Sequence, residues 1–228
     1  MKVKMIVIVG ILFLVSQVNA QENLVLKSQK EKVSYIIGME IGSNLKKQLA
    51  DVDSTILAKG IQDALTDRKP LLTEKEIQET MAAFQKEMMV KQTEVAKKNK
   101  AEGEAFLSEN KKKEGVKALP SGLQYKVIKA GTGKKPKSND TVTAHYRGTL
   151  INGTEFDSSY KRGQPVSFQV SGVIPGWTEA LQLMEVGAKW QLFIPSNLAY
   201  GEQGAGRDIG PNATLIFEVE LVSIQEKK

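Results

Sequence analysis

Apolar residues recur along this chain with two different periods. From about Lys27 to Leu119 they return every three or four positions, as on a helix with one buried face. Beyond Leu119 they alternate with polar residues, as on a half-buried strand. Val33, Ile36, Ile37, Ile41 and Leu45 predict a first amphipathic helix. Asp53 or Ser54 caps a second, whose buried face is Ile56, Leu57, Ile61 and Leu65, with Pro70 closing the segment. Thr73 followed three residues later by Glu76 is a capping box opening a third helix. Its stripe of Ile77, Met81, Phe84, Met88 and Val95 fails among Lys97, Lys98, Lys100, Glu102 and Glu104. A helix polar on every side is a spacer or is marginal. Continuous to about Lys112, it is a rod of roughly 60 Å, with Gly103 the point where it bends or ends.

In the second half, Leu123, Tyr125 and Val127 mark one strand and Val142, Ala144 and Tyr146 another. Val166, Phe168 and Val170 mark a third, Leu192 and Ile194 a fourth, and Leu215, Phe217, Val219 and Leu221 a fifth. Asn152-Gly153, before Thr154–Phe156, predicts a two-residue hairpin turn with positive φ at both positions. Trp177, Leu181 and Met184 share the face of one short helix bracketed by Gly176 and Gly187. The fold class expected is α+β: a helical N-terminal region with a long linking helix, then a curved antiparallel sheet wrapped over a short helix.

The short helices of the first half offer little core. Their apolar faces and the methionines Met81, Met88 and Met89 predict intertwining with a second copy. The plainer alternative is a helical cap on the second half. Lys111–Glu114 and Gly115 mark the junction, giving a helical dimerisation region over 21–115 and a second domain over 116–228. Ahead of both, Lys2 and Lys4 precede the apolar run Met5–Val15, and Val18 and Ala20 occupy the small-residue positions of a secretory cleavage site. The expectation is a signal peptide over 1–20, export, and no membrane span after cleavage. The alternative is an uncleaved N-terminal anchor.

Composition removes much chemistry. The 228 residues include no cysteine and one histidine, so disulfides, thiolate metal sites, cysteine nucleophiles and histidine-rich metal centres are out. The net charge of +6 is spread among interleaved acidic residues and gives no nucleic-acid footprint. His145 lies mid-strand and points away from the inward-facing Ala144 and Tyr146. No Gly-x-Ser-x-Gly elbow is present. Gly201, Gly204 and Gly206 lack the following helix that a phosphate loop needs, and Asp157 with Glu155 or Asp208 has no sugar-binding surroundings. What remains is a set of aromatic residues beside glycine, proline or loop positions: Tyr146, Phe156, Trp177, Tyr200 and Phe217. This placement suits the wall of a concave apolar pocket with a few polar handles.

Val142–Phe156 with Asp157-Ser158-Ser159, Val173-Ile174-Pro175-Gly176-Trp177, Leu198-Ala199-Tyr200-Gly201 and Asn212–Leu221, in this order, resemble the FKBP-type peptidyl-prolyl cis-trans isomerases. Lys32-Val33-Ser34-Tyr35 and Ile37-Gly38, before the charged helix, look like the N-terminal region of that family's exported bacterial branch, the macrophage infectivity potentiator-like proteins and periplasmic folding factors. The resemblance implies a pocket floored by Trp177 and walled by Tyr146, Phe156, Val173, Ile174, Tyr200 and Phe217, with Val166 and Ile209 at its edge. It implies a ligand-binding hydroxyl on Tyr200, a pocket carboxylate on Asp157, and Arg162 near that carboxylate. Asp157 either meets the twisting carbonyl or shapes the pocket. Val166 stands where some members carry an aromatic wall residue, which implies a more open pocket. Ala205 and Gly210 replace larger or proline residues, which implies a looser Glu202–Gly210 loop.

The activity implied is rotation of X–Pro bonds without cofactor or metal, on unfolded or proline-containing clients, open to macrolide inhibitors of the FKBP class. The implied setting is the periplasm, outer membrane or cell surface. Chaperone activity fits beside it. The competing function is a non-catalytic holdase that binds unfolded clients between the arms of a dimer, and a host-binding surface protein is a third.

Overall fold

The computed structural model describes residues 25–47 and 50–225, so the signal-peptide expectation over 1–20 lies outside the described residues. The chain divides into two compact units between Ile41 and Gly42, inside the first helix. That helix, α1, spans Gln29–Lys47, and its Val33, Tyr35, Ile36, Ile37 and Met39 all remain exposed.

In the second unit, α2 (Ser54–Leu65) begins where Asp53 accepts hydrogen bonds from Thr55 and Ile56 N–H, which settles the choice of cap. It buries no residue: the face read as buried carries Ile56 at 67% and Leu65 at 80% exposure. The third helix, α3 (Glu74–Asn110), opens with the predicted capping box, Thr73 Oγ1 accepting from Glu76 N–H while Glu76 accepts from Thr73 N–H.

Two expectations for α3 are corrected. Gly103 neither bends nor ends it. Gly103 is buried where a Cβ would stand 2.2 Å from Thr214 Oγ1, so its role is close approach rather than flexibility. The last turns are not polar all round either. Phe106 packs on Phe193 with ring centroids 6.0 Å apart, and buried Asn110 donates to Gln124 Oε1 at 3.0 Å. Gln124 in turn donates to the Leu107 carbonyl at 2.9 Å. The spacing hides this contact because it uses a glycine, one ring and an amide pair rather than a stripe.

Among the described residues, seven strands form one antiparallel sheet: β1 (Val116–Ala118), β2 (Gln124–Lys129), β3 (Thr141–Leu150), β4 (Glu155–Ser158), β5 (Val166–Gln169), β6 (Lys189–Ile194) and β7 (Leu215–Ile224). Their order is β1-β2-β6-β7-β3-β4, with β5 also pairing β3. Of the five predicted strands, β3, β5, β6 and β7 keep the predicted inward face, whereas in β2 polar Gln124 is buried and Val127 is 39% exposed. β1 was too short to register, and Val170 leaves β5 for a 3₁₀ turn.

The Asn152-Gly153 hairpin forms differently from expectation. Gly153 has φ of +86°, but Asn152 is not among the positive-φ residues. Leu150 N–H bonds the Thr154 carbonyl and Gly153 N–H bonds the Leu150 carbonyl. The Asn152 carboxamide meanwhile accepts from Thr154 N–H. This is a three-residue loop of type I turn plus glycine bulge, and the separate shift of β3–β4 register between Gly148 and Thr149 leaves Phe156 as the extra residue on β4.

The last helix, α4 (Pro175–Leu183), starts with proline where the missing N–H costs nothing. Its Trp177, Ala180 and Leu181, with Met184 just beyond, close over Val142, Ala144, Leu192, Leu215, Val219 and Leu221 in one core. Gly176 lies inside α4 rather than before it, and a Cβ there would stand 2.5 Å from Ile194 Cγ2, so this glycine serves close packing rather than a helix boundary. Leu192 faces this core, so its neighbour Phe193 faces the opposite side of the sheet, which the end of α3 covers.

Candidate active site

A cavity of about 670 Å³ opens between β3, β4, β5, the start of α4 and the loop after Tyr200. Trp177 forms its floor at 5% exposure, and its buried indole N–H has no hydrogen-bond partner among the described residues. Tyr146, Phe217 and Phe168 surround the indole at centroid distances of 5.3, 5.2 and 5.4 Å, each close to edge-on. Phe156 meets Phe217 edge-on at 5.4 Å. Such contacts hold aromatic rings in fixed orientation as well as burying them.

The ring cluster depends on a residue without a side chain. A Cβ on Gly148 of β3 would stand 2.6 Å from Phe156 Cε2 and 2.7 Å from Phe217 Cε1. Sequence reasoning missed Gly148, since within a strand pattern a glycine signals a close approach without naming what approaches.

The polar rim is built around Asp157. Its Oδ2 accepts from the Tyr146 hydroxyl at 2.5 Å, and its Oδ1 accepts from Ser158 N–H at 2.8 Å and from Arg162 Nη1. Arg162 Nη2 also donates to the Tyr146 hydroxyl at 2.6 Å, and the guanidinium lies 5.4 Å from the Tyr146 ring centre. Partial burial works against the Asp157 carboxylate. Hydrogen bonds from Tyr146 and Arg162 outweigh it and hold the pKa below the ordinary aspartate value. Burial, then the hydrogen bond to Asp157, pushes the Tyr146 phenol above its usual value, so it stays a donor.

Buried Ser159 fixes this corner. Its Oγ accepts from Tyr146 N–H at 2.8 Å, and its carbonyl accepts from Arg162 N–H. His145 has a structural place, with Nδ1 3.1 Å from Ser159 Oγ and its ring stacked on Tyr160.

Asp157, Tyr146, Phe156, Trp177 and Tyr200 all line the cavity. So do Val166, Val173, Ile174, Ile209 and Phe217, while Arg162 stands behind Asp157 rather than in the wall. The cavity also draws in Phe168, Arg207 and Asp208, which the sequence did not assign to it. Phe168 was read as an ordinary inward strand residue. Its inward direction was correct, and that direction ends in the cavity.

The Tyr200 hydroxyl makes no hydrogen bond among the described residues, and the side chain is 40% exposed. The expectation of a loose loop is not met in its hydrogen bonding. Ala205 and Ile209 exchange both N–H···O bonds, at 2.9 and 3.2 Å, and Asn212 N–H bonds the Gly201 carbonyl.

Residues 132–222 match the family model for the FKBP-type peptidyl-prolyl cis-trans isomerase, and residues 30–127 match the domain amino terminal to it. The chain belongs to the FKBP-type peptidyl-prolyl cis-trans isomerase family. It is 52% identical over 205 residues to the outer membrane protein MIP of Legionella longbeachae, covering 88% of each chain. It is 46% identical to the peptidyl-prolyl cis-trans isomerase Mip of Coxiella burnetii, over 89% of this chain and 90% of that one. The crystal structure of FkpA from Escherichia coli superposes with a TM-score of 0.64 at 40% identity, covering 88% of this chain and 99% of that one. The FKBP-type isomerase is thus an enzyme that interconverts cis and trans X–Pro bonds, built as a helical region followed by an antiparallel sheet with a helix. Among its described residues no helix is long and apolar enough to cross a membrane.

Proposed function

We propose that the Trp177 cavity is where this isomerase turns X–Pro bonds of exported polypeptides. The observation that carries the reading is an aromatic cavity whose floor is a buried indole and whose rim holds a carboxylate fixed by three protein donors. The barrier to rotation, about 20 kcal/mol, comes from amide resonance. The planar amide is charge-separated and well solvated by water. Twisting localises the lone pair on nitrogen and leaves a less polar carbonyl. A site that removes water and surrounds the bond with rings therefore disfavours the planar form more than the twisted one.

The proline ring packs on Trp177 between Tyr146, Phe156 and Phe217, with Val173, Ile174, Val166 and Ile209 at the cavity edge. Tyr200, whose hydroxyl has no hydrogen-bond partner among the described residues, donates to a substrate carbonyl. Asp157, held by Tyr146 and Arg162, presents fixed negative charge at the rim. Three protein donors hold it, two on Oδ1 and one on Oδ2, which supports a role in shaping and polarising the wall. No step requires a proton transfer or a covalent intermediate. An FKBP-class macrolide competes for the same cavity.

The wider reading keeps a signal peptide at 1–20, a helical dimerisation region at 21–115 and the isomerase domain at 116–228. The protein acts in the periplasm or at the outer membrane. The exposed Ile36, Ile37 and Met39 of α1, and Ile56 and Leu65 of α2, support a homodimer closed through these helices. A holdase-type chaperone activity is the second reading, favoured by the exposed Met81, Met89 and Val90 on α3.

The test is a protease-coupled proline-isomerisation assay on a tetrapeptide. Asp157→Ala and Trp177→Ala, each checked for folding by circular dichroism, are expected to lose most of kcat/KM. Full activity in two folded variants overturns the pocket assignment. Suppression of client aggregation by Asp157→Ala separates the chaperone activity from the isomerase.

A further inference from the structure

A second groove, of about 660 Å³, lies on the other side of the loop that walls the catalytic cavity. Phe84, Met88, Gln92 and Val95, on one face of α3, form one bank, and Gln203, Arg207, Gly210 and Pro211 form the other. Gly206, Arg207 and Ile209 line both hollows, so a single strip of backbone separates the groove from the cavity above Trp177. The strip is held against the helix. Asn99 donates to the Pro211 carbonyl at 2.8 Å, and a Cβ on Gly210 would stand 3.1 Å from Asn99 Nδ2.

The lining has a definite chemistry. Phe84, Met88 and Met89 supply unbranched or planar apolar surface that adapts to varied side chains. Asn44, Gln85, Gln92 and Gln203 supply carboxamides, each a donor and an acceptor, like the peptide group itself. Arg207 is the charged residue in the lining. This combination suits a polypeptide stretch bound through its backbone and apolar side chains, and it offers little to a cation.

We propose that this groove takes the apolar segment flanking the proline of a client whose X–Pro bond occupies the Trp177 cavity. The two hollows thus form one extended substrate site. Their continuity through Gly206, Arg207 and Ile209 is what selects the same client chain as occupant. A segment of about six extended residues covers roughly 20 Å, enough to run from one hollow over the shared strip into the other. The proposal rests on the cavity being the isomerase site, and it makes a prediction that the cavity alone does not. Tetrapeptides do not reach the groove, while unfolded proteins do.

The experiment uses the full chain and two substrates: a proline tetrapeptide, and an unfolded protein whose refolding waits on one prolyl bond. Met88→Glu is expected to lower kcat/KM for the protein about tenfold, to leave the tetrapeptide within about twofold, and to leave the sedimentation coefficient unchanged. Met88→Ala, a milder change that keeps the helix, shifts the protein rate in the same direction by less, and Met88→Leu restores it. Unchanged rates on both substrates overturn the proposal, as does parallel loss on both. A changed association state with Met88→Glu also overturns it, because the groove's occupant is then a second copy. Asp157→Ala is expected to lower both activities together; if it keeps both, the cavity assignment itself falls, an outcome distinct from any seen with Met88→Glu.

Discussion

The sheet domain and the first two helices both space their apolar residues regularly, at two residues in one and at three or four in the other, yet they use that regularity differently. In the sheet domain Leu181, Leu192 and Leu215 are fully buried by this chain's own strands and helix. In α2, Ile56 and Leu65 are as regular in spacing and remain 67% and 80% exposed, and in α1 Met39 remains 58% exposed. Hydrophobic spacing states that a face requires cover. What supplies the cover, whether the same chain, a second copy or a client, is a separate matter that only the assembled structure addresses.

The contrast breaks most readily on paired truncations. Leu181→Ala removes a fully buried side chain and is expected to lower the unfolding free energy of the sheet domain by about 2–5 kcal/mol. Leu65→Ala truncates a side chain left 80% exposed and is expected to shift it by less than about 0.5 kcal/mol at the lowest readable chain concentration. Denaturant titration of both variants at that concentration decides, and equal losses abolish the contrast.

A second variant sharpens the comparison inside the sheet domain. Gly148→Ala forces a methyl group into the Phe156 and Phe217 rings, at a cost of about 1–3 kcal/mol. Because the displaced rings are pocket walls, tetrapeptide kcat/KM falls with it, mainly through KM. An exposed-glycine control, Gly153→Ala, meets nothing within 4 Å, although its φ of +86° adds strain. It should leave activity intact while lowering stability modestly. Normal kinetics in Gly148→Ala overturn the role given to that glycine.

The smallest expected effect is in pH. The Asp157 pKa lies below the ordinary value near 3.9, so its stabilising contribution is fully present above that value and is lost only as pH falls through the lower folded-state value. The Tyr146 pKa is raised above its ordinary value near 10, so the phenol keeps its proton throughout the neutral range. Tetrapeptide kcat/KM is therefore expected to be flat between about pH 5 and 9. A limb centred inside that window identifies a titrating group outside this network.

Much of the fold was legible because local chemistry determined it. The Thr73–Glu76 box, the Asp53 cap and the alternation of β3 and β7 each need only near neighbours. The pocket aromatics were legible because they stand beside turns. What escaped depends on partners distant in sequence. Gly103 matters because Thr214 arrives against it, Gly148 because two rings close over it, and Ser159 because Tyr146 of β3 lies opposite it. Asn152-Gly153 was read as the commonest short turn, but the Asn152 carboxamide bonded to Thr154 N–H and the chain accommodated one more residue. The groove beside α3 was invisible for the same reason, since one bank is helix and the other a loop more than a hundred residues later.

The clasp between Asn110 and Gln124 has a practical consequence for anyone dissecting this molecule. A fragment starting at Val116 would discard the amide that partners Gln124, the Leu107 carbonyl that satisfies its other end, and the Phe106 ring lying on Phe193. It would present a greasy, poorly solvated outer surface and be prone to self-association, and its behaviour would reflect the scissors rather than the enzyme. A cut upstream of Asn99 keeps the final turns of the rod, and with them the intact back of the catalytic body.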